Sequence, residues 1–206
     1  TLEATGTLLV GSDLGAVMAA LEPYPLFSLG LNCATGPEAM APHLQALARQ
    51  WPGRVSVVPN AGLPEVVDGK TVYGLAPADF AACVREYVVD LGVSVVGGCC
   101  GTRPEHIRAL AEALAGVRPA SRAPVFTPCL GSAYQAVEIR QEPAPLLIGE
   151  RANANGSKQF RERLLADDHA GALKIGMTQE QGGAHAADLC TAYAGRDELA
   201  DLTTMT

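Results

Sequence analysis

An α/β fold with parallel sheets is expected for this chain, and three observations support it. Short apolar runs alternate with amphipathic helical patterns over the first 115 residues, and the alternation resumes after a proline-rich stretch. Apolar residues make up 48% of the 206 residues and charged residues 18%, so the chain can bury a core. Continuous apolar strands between amphipathic helices are typical of a parallel sheet that is covered on both faces.

Four strand–helix units are predicted in the first part of the chain. The strands are expected at residues 7–10, 26–31, 55–58 and 93–96. The last three helices begin at a proline, which suits a first helical position because no N–H partner is needed there: Pro37, Pro77 and Pro104. Thr102 and Glu105 are expected to form a capping box, and residues 59–76 a loop. Four units amount to half of an eightfold barrel, so the alternatives are a small open sheet or a barrel whose other half precedes Thr1.

Residues 118–145 change character and are predicted to be an interdomain linker with one short hairpin. Prolines interrupt the stretch and no periodic pattern survives. A strand at 145–149, two short helices within 157–181 and a strand at 185–189 follow. Two domains are therefore predicted, residues 1–117 and 146–206. The missing initiator methionine and the abrupt end predict a piece of a longer polypeptide.

Charge and hydropathy disfavour several classes of partner. The formal charge is −7 and the pI is near 5.1, so neither a nucleic acid nor an anionic membrane is an expected partner. No apolar run reaches the roughly 18 residues of a membrane span. Because the first residues also lack the pattern of a signal peptide, a cytoplasmic location is expected.

Residues that bind metals follow three of the predicted strands. The second strand leads into Cys33, the third into Asn60, and the fourth into the adjacent pair Cys99 and Cys100. The carboxyl ends of parallel strands share one edge of a sheet, so these side chains are expected to lie together. Three thiolates suit tetrahedral Zn²⁺ and leave one position open. The alternative is that the cysteines are small buried residues, which is the expected role of Cys83 within a helix.

Three segments carry a family resemblance: Gly30-Leu-Asn-Cys33, Pro59-Asn-Ala-Gly62 and Gly97-Gly-Cys-Cys-Gly-Thr102. They resemble the zinc-binding segments of the homocysteine methyltransferases, which are TIM-type barrels. The resemblance implies that residues 1–117 are the C-terminal half of a homocysteine-binding barrel. It also implies that Cys33, Cys99 and Cys100 hold zinc, with Asn60 as an exchangeable fourth ligand until homocysteine arrives.

A second resemblance lies downstream, in Ile148-Gly-Glu-Arg-Ala-Asn-Ala-Asn-Gly-Ser157 and His185-Ala-Ala-Asp-Leu-Cys190. These segments resemble the first strands of the pterin-binding TIM-type barrel of the cobalamin-dependent methionine synthases. The departures are Ala152, where the family usually has Thr, and Cys190, where many members have Asn. Glu150, Asn153 and Asp188 lie where strands meet loops, and their oxygens and amide can hydrogen-bond a pterin ring.

The resemblance implies transfer of a methyl group to homocysteine from methylcobalamin, carried on a cobalamin-binding domain of the same polypeptide. Methyltetrahydrofolate would be the ultimate donor. Zinc keeps a thiol deprotonated although its free pKa is near 8.5, and the thiolate is the nucleophile. Two alternatives stay open: a homocysteine methyltransferase that uses a sulfonium or betaine donor, and an interaction module with a structural zinc.

Overall fold

The computed structural model describes residues 1–3 and 5–206, which divide into two compact units, Thr1–Ala136 and Val137–Thr206. The first unit contains α1 (Leu14–Leu21), β1 (Ser28–Asn32), α2 (Pro37–Gln50), β2 (Arg54–Val58), β3 (Pro64–Val67), β4 (Lys70–Tyr73), α3 (Pro77–Leu91), β5 (Val95–Val96), α4 (Pro104–Ala113) and β6 (Cys129–Gly131). A further strand, β7 (Ala136–Glu138), pairs with β6 in the predicted hairpin. In the part of the chain described, no helix combines the length and the apolar character that crossing a membrane requires.

The first unit is organised by a three-stranded parallel sheet in the order β1-β2-β5. Gly30 pairs with Ser56, and Val57 pairs with Val96, so the loops that follow the three strands begin at the same edge. The inner faces of the strands and of α2 and α3 form one core, whose fully buried side chains include Leu44, Leu47, Val55, Val57, Phe80 and Val84. The parallel α/β class and the three helices that begin at prolines are confirmed.

The predicted first strand, residues 7–10, is wrong, and the sheet has three parallel strands rather than four. The segment is a tight turn with one isolated bridge between Thr7 and Asp13. Gly6 and Gly11 bracket it with φ of 83° and 96°, a left-handed conformation that ends an extended strand. Two of its three apolar side chains are exposed, Leu9 by 88% and Val10 by 72%, and only Leu8 packs against the core.

The predicted loop between β2 and α3 instead contains an antiparallel hairpin of β3 and β4. Asp68 and Gly69 form its turn with φ of 51° and 73°. An Asp-Gly pair with both residues left-handed is a favoured two-residue hairpin turn, because its twist matches that of the strands. The predicted capping box is also wrong: Arg103 is the N-cap of α4, and the Thr102 hydroxyl donates to the Cys99 carbonyl at 2.6 Å.

The first part of the predicted linker belongs to the first unit, where Arg122 anchors it to the end of α2. Its guanidinium donates to the carbonyls of Ala48 at 3.1 Å, Trp51 at 3.0 Å and Gly53. These carbonyls lie in the last turn of α2 and just beyond it, where no following helical turn supplies an N–H donor for them. The Ala120 N–H donates to the Val88 carbonyl and the Val125 N–H to the Arg49 carbonyl, which holds this segment, residues 120–125, on either side of Arg122.

Arg122→Ala is expected to destabilise the first unit by about 2 kcal/mol, because hydrogen bonds from a charged donor contribute roughly 1.5–3 kcal/mol. Arg122→Lys keeps the charge but not the planar fork, so it should recover only part of the loss. Urea unfolding followed by circular dichroism measures both variants. An Arg122→Ala chain as stable as the wild type would contradict a structural role for the segment 120–125.

The second unit contains β8 (Ile148–Asn153), α5 (Lys158–Leu165), α6 (His169–Gln181), β9 (Ala186–Cys190) and α7 (Glu198–Met205). The two predicted helices and the second predicted strand are confirmed, and the first strand begins three residues later than expected. β8 and β9 are parallel, with a register shift between Gly149 and Ala152. The final helix was not predicted; Asp197 caps it through the Ala200 N–H at 3.1 Å.

Arg196 joins α7 to the turn between α5 and α6. Its guanidinium donates to Asp201 at 2.9 Å and to Asp167 at 2.7 Å. The hydrogen bond from Arg196 lowers the pKa of Asp201, and burial opposes this shift. Because the folded carboxyl titrates at lower pH than the unfolded one, its contribution to stability is complete above about pH 3.9 and is lost as the pH falls through the folded pKa.

Asp201→Asn is therefore expected to lower the thermal midpoint at pH 7, and the difference from the wild type should shrink as the pH is lowered below the usual Asp range. Asp167→Asn is the matched control, because Asp167 contacts the same guanidinium but its side chain is largely exposed. It should have the smaller effect. Thermal unfolding between pH 2 and 7 tests this, and a difference that grows in acid would contradict it.

Candidate metal centre

The candidate site is built from the loops after β1, β2 and β5, which backbone hydrogen bonds join at one edge of the sheet. The Cys33 N–H donates to Val58 at 3.1 Å, and the Cys99 N–H donates to Pro59 at 2.8 Å. The Ala61 N–H donates to the Cys100 carbonyl at 2.9 Å. Each loop is thus tied to the β2 loop, so the positions of the three cysteines are linked through the main chain.

The three thiols form a compact group. The Cys33 and Cys100 sulfurs are 3.6 Å apart, the Cys99 and Cys100 sulfurs are 3.9 Å apart, and all three lie within 4.8 Å of one another. With Zn–S bonds of about 2.3 Å, the edge of a tetrahedron is about 3.8 Å. A disulfide would bring two sulfurs to about 2.05 Å. The spacing therefore fits three thiolates around one tetrahedral ion, and it is the only such cluster found among the described residues.

The turn that carries Cys33 is strained. Cys33 and Ala34 both have φ of 61°, in the left-handed region that costs a non-glycine residue roughly 1–2 kcal/mol. The turn is held by bonds from the Thr35 N–H to the Cys33 carbonyl at 2.7 Å and from the Asn60 N–H to the Thr35 carbonyl at 3.1 Å. Strain of this kind is typical of functional sites, where the surroundings hold a side chain in one direction.

Asn60 lies between the cysteine loops and is 3% exposed. Its Oδ1 accepts the Cys100 N–H at 3.1 Å, and its side chain makes a small contribution to the lowered pKa of the Cys33 thiol. The predicted fourth ligand is therefore beside the sulfurs, with its oxygen engaged by the main chain of Cys100.

The pKa values of two of the thiols shift in opposite directions. The Ala34 backbone, followed by the Cys100 and Cys99 side chains, lowers the pKa of Cys33 through hydrogen bonds. Burial raises the pKa of Cys99, and hydrogen bonds to Cys33 and Cys100 raise it further. Burial also raises the pKa of Tyr73, and a hydrogen bond to Cys100 adds to the shift. The pKa values of Cys33, Cys99 and Tyr73 thus each depend on the neighbouring thiols.

His106 supports the site through the main chain of the segments beside it. Its Nδ1 accepts the Arg103 N–H at 3.2 Å, and its Nε2 donates to the Leu75 carbonyl at 2.9 Å. A tautomer with its proton on Nε2 satisfies both bonds of this buried ring. Its edge meets the Phe80 ring at a centroid distance of 5.6 Å. The ring fixes the end of the β3–β4 hairpin, a role that residue spacing did not reveal.

The predicted folate residues lie in the second unit, at β8 and β9. The Asn153 Nδ2 donates weakly to the Glu150 Oε1 at 3.5 Å, and the Asn153 Oδ1 accepts the N–H groups of Asn155 and Gly156. Glu150 lies within the register shift of β8, and Asp188 lies opposite that shift on β9. Both residues are exposed. The structure therefore brings Glu150 and Asn153 together and leaves Asp188 on the neighbouring strand.

Comparison with known proteins identifies the family. The family model for homocysteine S-methyltransferase matches residues 1–114. The chain is 46% identical over 202 residues to the methionine synthase of Mycobacterium tuberculosis (strain ATCC 25618 / H37Rv) and 46% identical over 207 residues to that of Mycobacterium leprae (strain TN). Each match covers 98% of this chain and 17% of the relative. The chain belongs to the homocysteine S-methyltransferase family.

Proposed function

We propose that this chain acts within a cobalamin-dependent methionine synthase and that its first unit activates homocysteine for methyl transfer from methylcobalamin. Methyltetrahydrofolate is the ultimate donor, and methionine is the product. The observation that carries the proposal is the group of three sulfurs at tetrahedral spacing in a homocysteine S-methyltransferase chain. On this proposal residues 1–117 belong to a homocysteine-binding TIM-type barrel, 118–145 are a linker, and 146–206 begin a pterin-binding barrel.

Cys33, Cys99 and Cys100 are the residues that would hold zinc. When bound, Zn²⁺ supplies the Lewis acidity that keeps a substrate thiol deprotonated at neutral pH. Three thiolates and one divalent ion leave a net charge of −1, which favours a nucleophilic substrate sulfur over a quenched one. Asn60 would be the exchangeable fourth ligand, and its oxygen would then have to share or leave the Cys100 N–H.

Glu150, Asn153 and Asp188 are the proposed contacts to the pterin ring of methyltetrahydrofolate. This proposal is supported by two exposed carboxylates and one side-chain amide on adjacent parallel strands. Similarity to methionine synthases extends over 98% of this chain, second unit included, which favours a folate-linked donor over a sulfonium or betaine donor. The relatives are about six times longer, so a cobalamin-binding domain elsewhere in the same polypeptide is the proposed partner. A cytoplasmic location stays a prediction.

Zinc content and X-ray absorption at the zinc edge, with and without homocysteine, test this function. We expect about one zinc per chain and a change from three sulfurs plus one light atom to four sulfurs when homocysteine is added. A zinc shell that homocysteine does not change would favour the structural-zinc alternative, because a closed site has no position for substrate. A purified chain that takes up no zinc would contradict the proposal.

A further inference from the structure

The β3–β4 hairpin returns the chain to the edge of the sheet where the thiols lie. Pro64 pairs with Tyr73, so the last residue of β4 is back beside the start of β3. The Leu75 N–H donates to the Ala61 carbonyl at 3.0 Å, one residue after Asn60. His106 holds Leu75 through its carbonyl. Tyr73 is therefore anchored from two sides within a few residues of the candidate metal centre.

The ring of Tyr73 lies directly over Gly101. A Cβ at this position would be 2.2–2.6 Å from the Tyr73 Cβ and ring carbons, closer than any real contact. The φ of Gly101 is also 76°, which favours glycine. Because Gly101 has no side chain, the Tyr73 ring can occupy the space beside Cys100. Tyr73 is half-buried there, whereas Val66 on the same hairpin is 79% exposed.

The Tyr73 side chain lies beside the cysteine cluster. Its ring covers Gly101, the residue next to Cys100, and the three cysteines help to raise the pKa of its hydroxyl. Asn60 holds the main-chain N–H of the same cysteine at 3.1 Å. Cys100 is the most exposed of the three cysteines. Its side chain therefore depends most on neighbouring contacts to hold the sulfur in the position that a metal requires.

We infer that Tyr73 is a positioning residue of the metal centre, whose hydroxyl donates a hydrogen bond to the Cys100 sulfur and holds that thiolate toward the metal. The inference rests on the proposed function, because it takes the three cysteines as the ligands. Outer-shell hydrogen bonds orient metal ligands and reduce the charge density on them. Binding of a substrate thiolate would change the net charge from −1 to −2, so a donor beside the sulfurs should stabilise the substrate-bound state more.

Tyr73→Phe in the full 206-residue chain tests this, with zinc or cobalt(II) alone as the first probe. We expect zinc affinity, measured by chelator competition, to fall about 10-fold, within the range for loss of an outer-shell partner. The sulfur-to-cobalt charge-transfer band should shift, and the affinity of the metal-loaded chain for homocysteine should fall further than its affinity for zinc. Tyr24→Phe, at an exposed tyrosine, is the matched control and should change none of these.

Gly101→Ala provides an independent variant, because it keeps the hydroxyl but displaces the ring. It should reproduce the spectral shift, whereas Gly69→Ala, left-handed but in open space on the same hairpin, should not. A Tyr73→Phe chain with wild-type zinc affinity and cobalt spectrum would overturn the inference and leave the proposed function intact. A wild-type chain that binds neither metal would overturn both.

Discussion

Cys99→Ala is expected to abolish stoichiometric zinc binding while leaving the chain folded. The variant leaves two of the three thiolates, and the loss of affinity should exceed the roughly 100-fold that removal of an outer-shell partner can cause. The fold should persist because Cys99 contributes to it through its main chain. Its N–H donates to Pro59 at 2.8 Å, and its carbonyl accepts the Thr102 N–H and hydroxyl.

Metal analysis after dialysis, chelator competition and circular dichroism measure this result. Cys83→Ala is the matched control: Cys83 lies on α3 outside the cluster, and its thiol is half-buried. That variant should keep about one zinc per chain and the wild-type change on addition of homocysteine. A folded Cys99→Ala chain that retains one zinc with unchanged affinity would contradict the ligand assignment.

Gly30→Ala is expected to cause the largest loss of stability of any single substitution considered. Gly30 lies in the middle of β1 and pairs with Ser56 of β2. A Cβ at Gly30 would be 1.9 Å from the Ser56 carbonyl oxygen and 2.2 Å from its hydroxyl. The hydroxyl can rotate away, but the carbonyl belongs to the main chain, so the two strands must separate. We expect a cost of about 3 kcal/mol or more, at or beyond the upper end for overpacking.

Urea unfolding measures the free energy of unfolding of this variant. Gly74→Ala is the matched control, because a Cβ there meets nothing within 4 Å and its φ is not left-handed. Its effect should stay within about 0.5 kcal/mol. The Gly30→Ala chain should also lose zinc affinity, since Cys33 lies three residues after Gly30 and directly follows the displaced strand. A stability equal to that of the control would show that the strand spacing can relax.

The helices that begin at prolines and the parallel strands of the sheet were predictable because their signals are local. The prolines at Pro37, Pro77 and Pro104 begin α2, α3 and α4, and apolar residues at helical spacing form the faces that pack on the sheet. The meeting of Cys33, Cys99 and Cys100 was predictable for a topological reason. Successive parallel strands end at one edge, so residues that directly follow them are close without any knowledge of side-chain contacts.

Local signals misled where geometry at the ends of a segment decided its conformation. Residues 7–10 are apolar enough for a strand, but left-handed glycines at both ends close them into a turn. The Asp68-Gly69 pair carries a hairpin signal, but it lies in a glycine-rich stretch whose composition predicts a loop. At the start of α4, Thr102 and Glu105 matched a capping pattern, but Thr102 donates to Cys99 instead.

Residue patterns alone predict the α/β class, the helices that begin at prolines and the edge of the sheet at which the three thiols meet. Three contacts are visible only in the folded chain: Tyr73 covers Gly101, His106 holds Leu75, and Arg122 caps the end of α2. These contacts leave no local signal because they join residues that are far apart in the sequence. Periodicity and capping act over a few residues, whereas these contacts join residues 28 to 74 positions apart and depend on the path of the whole chain.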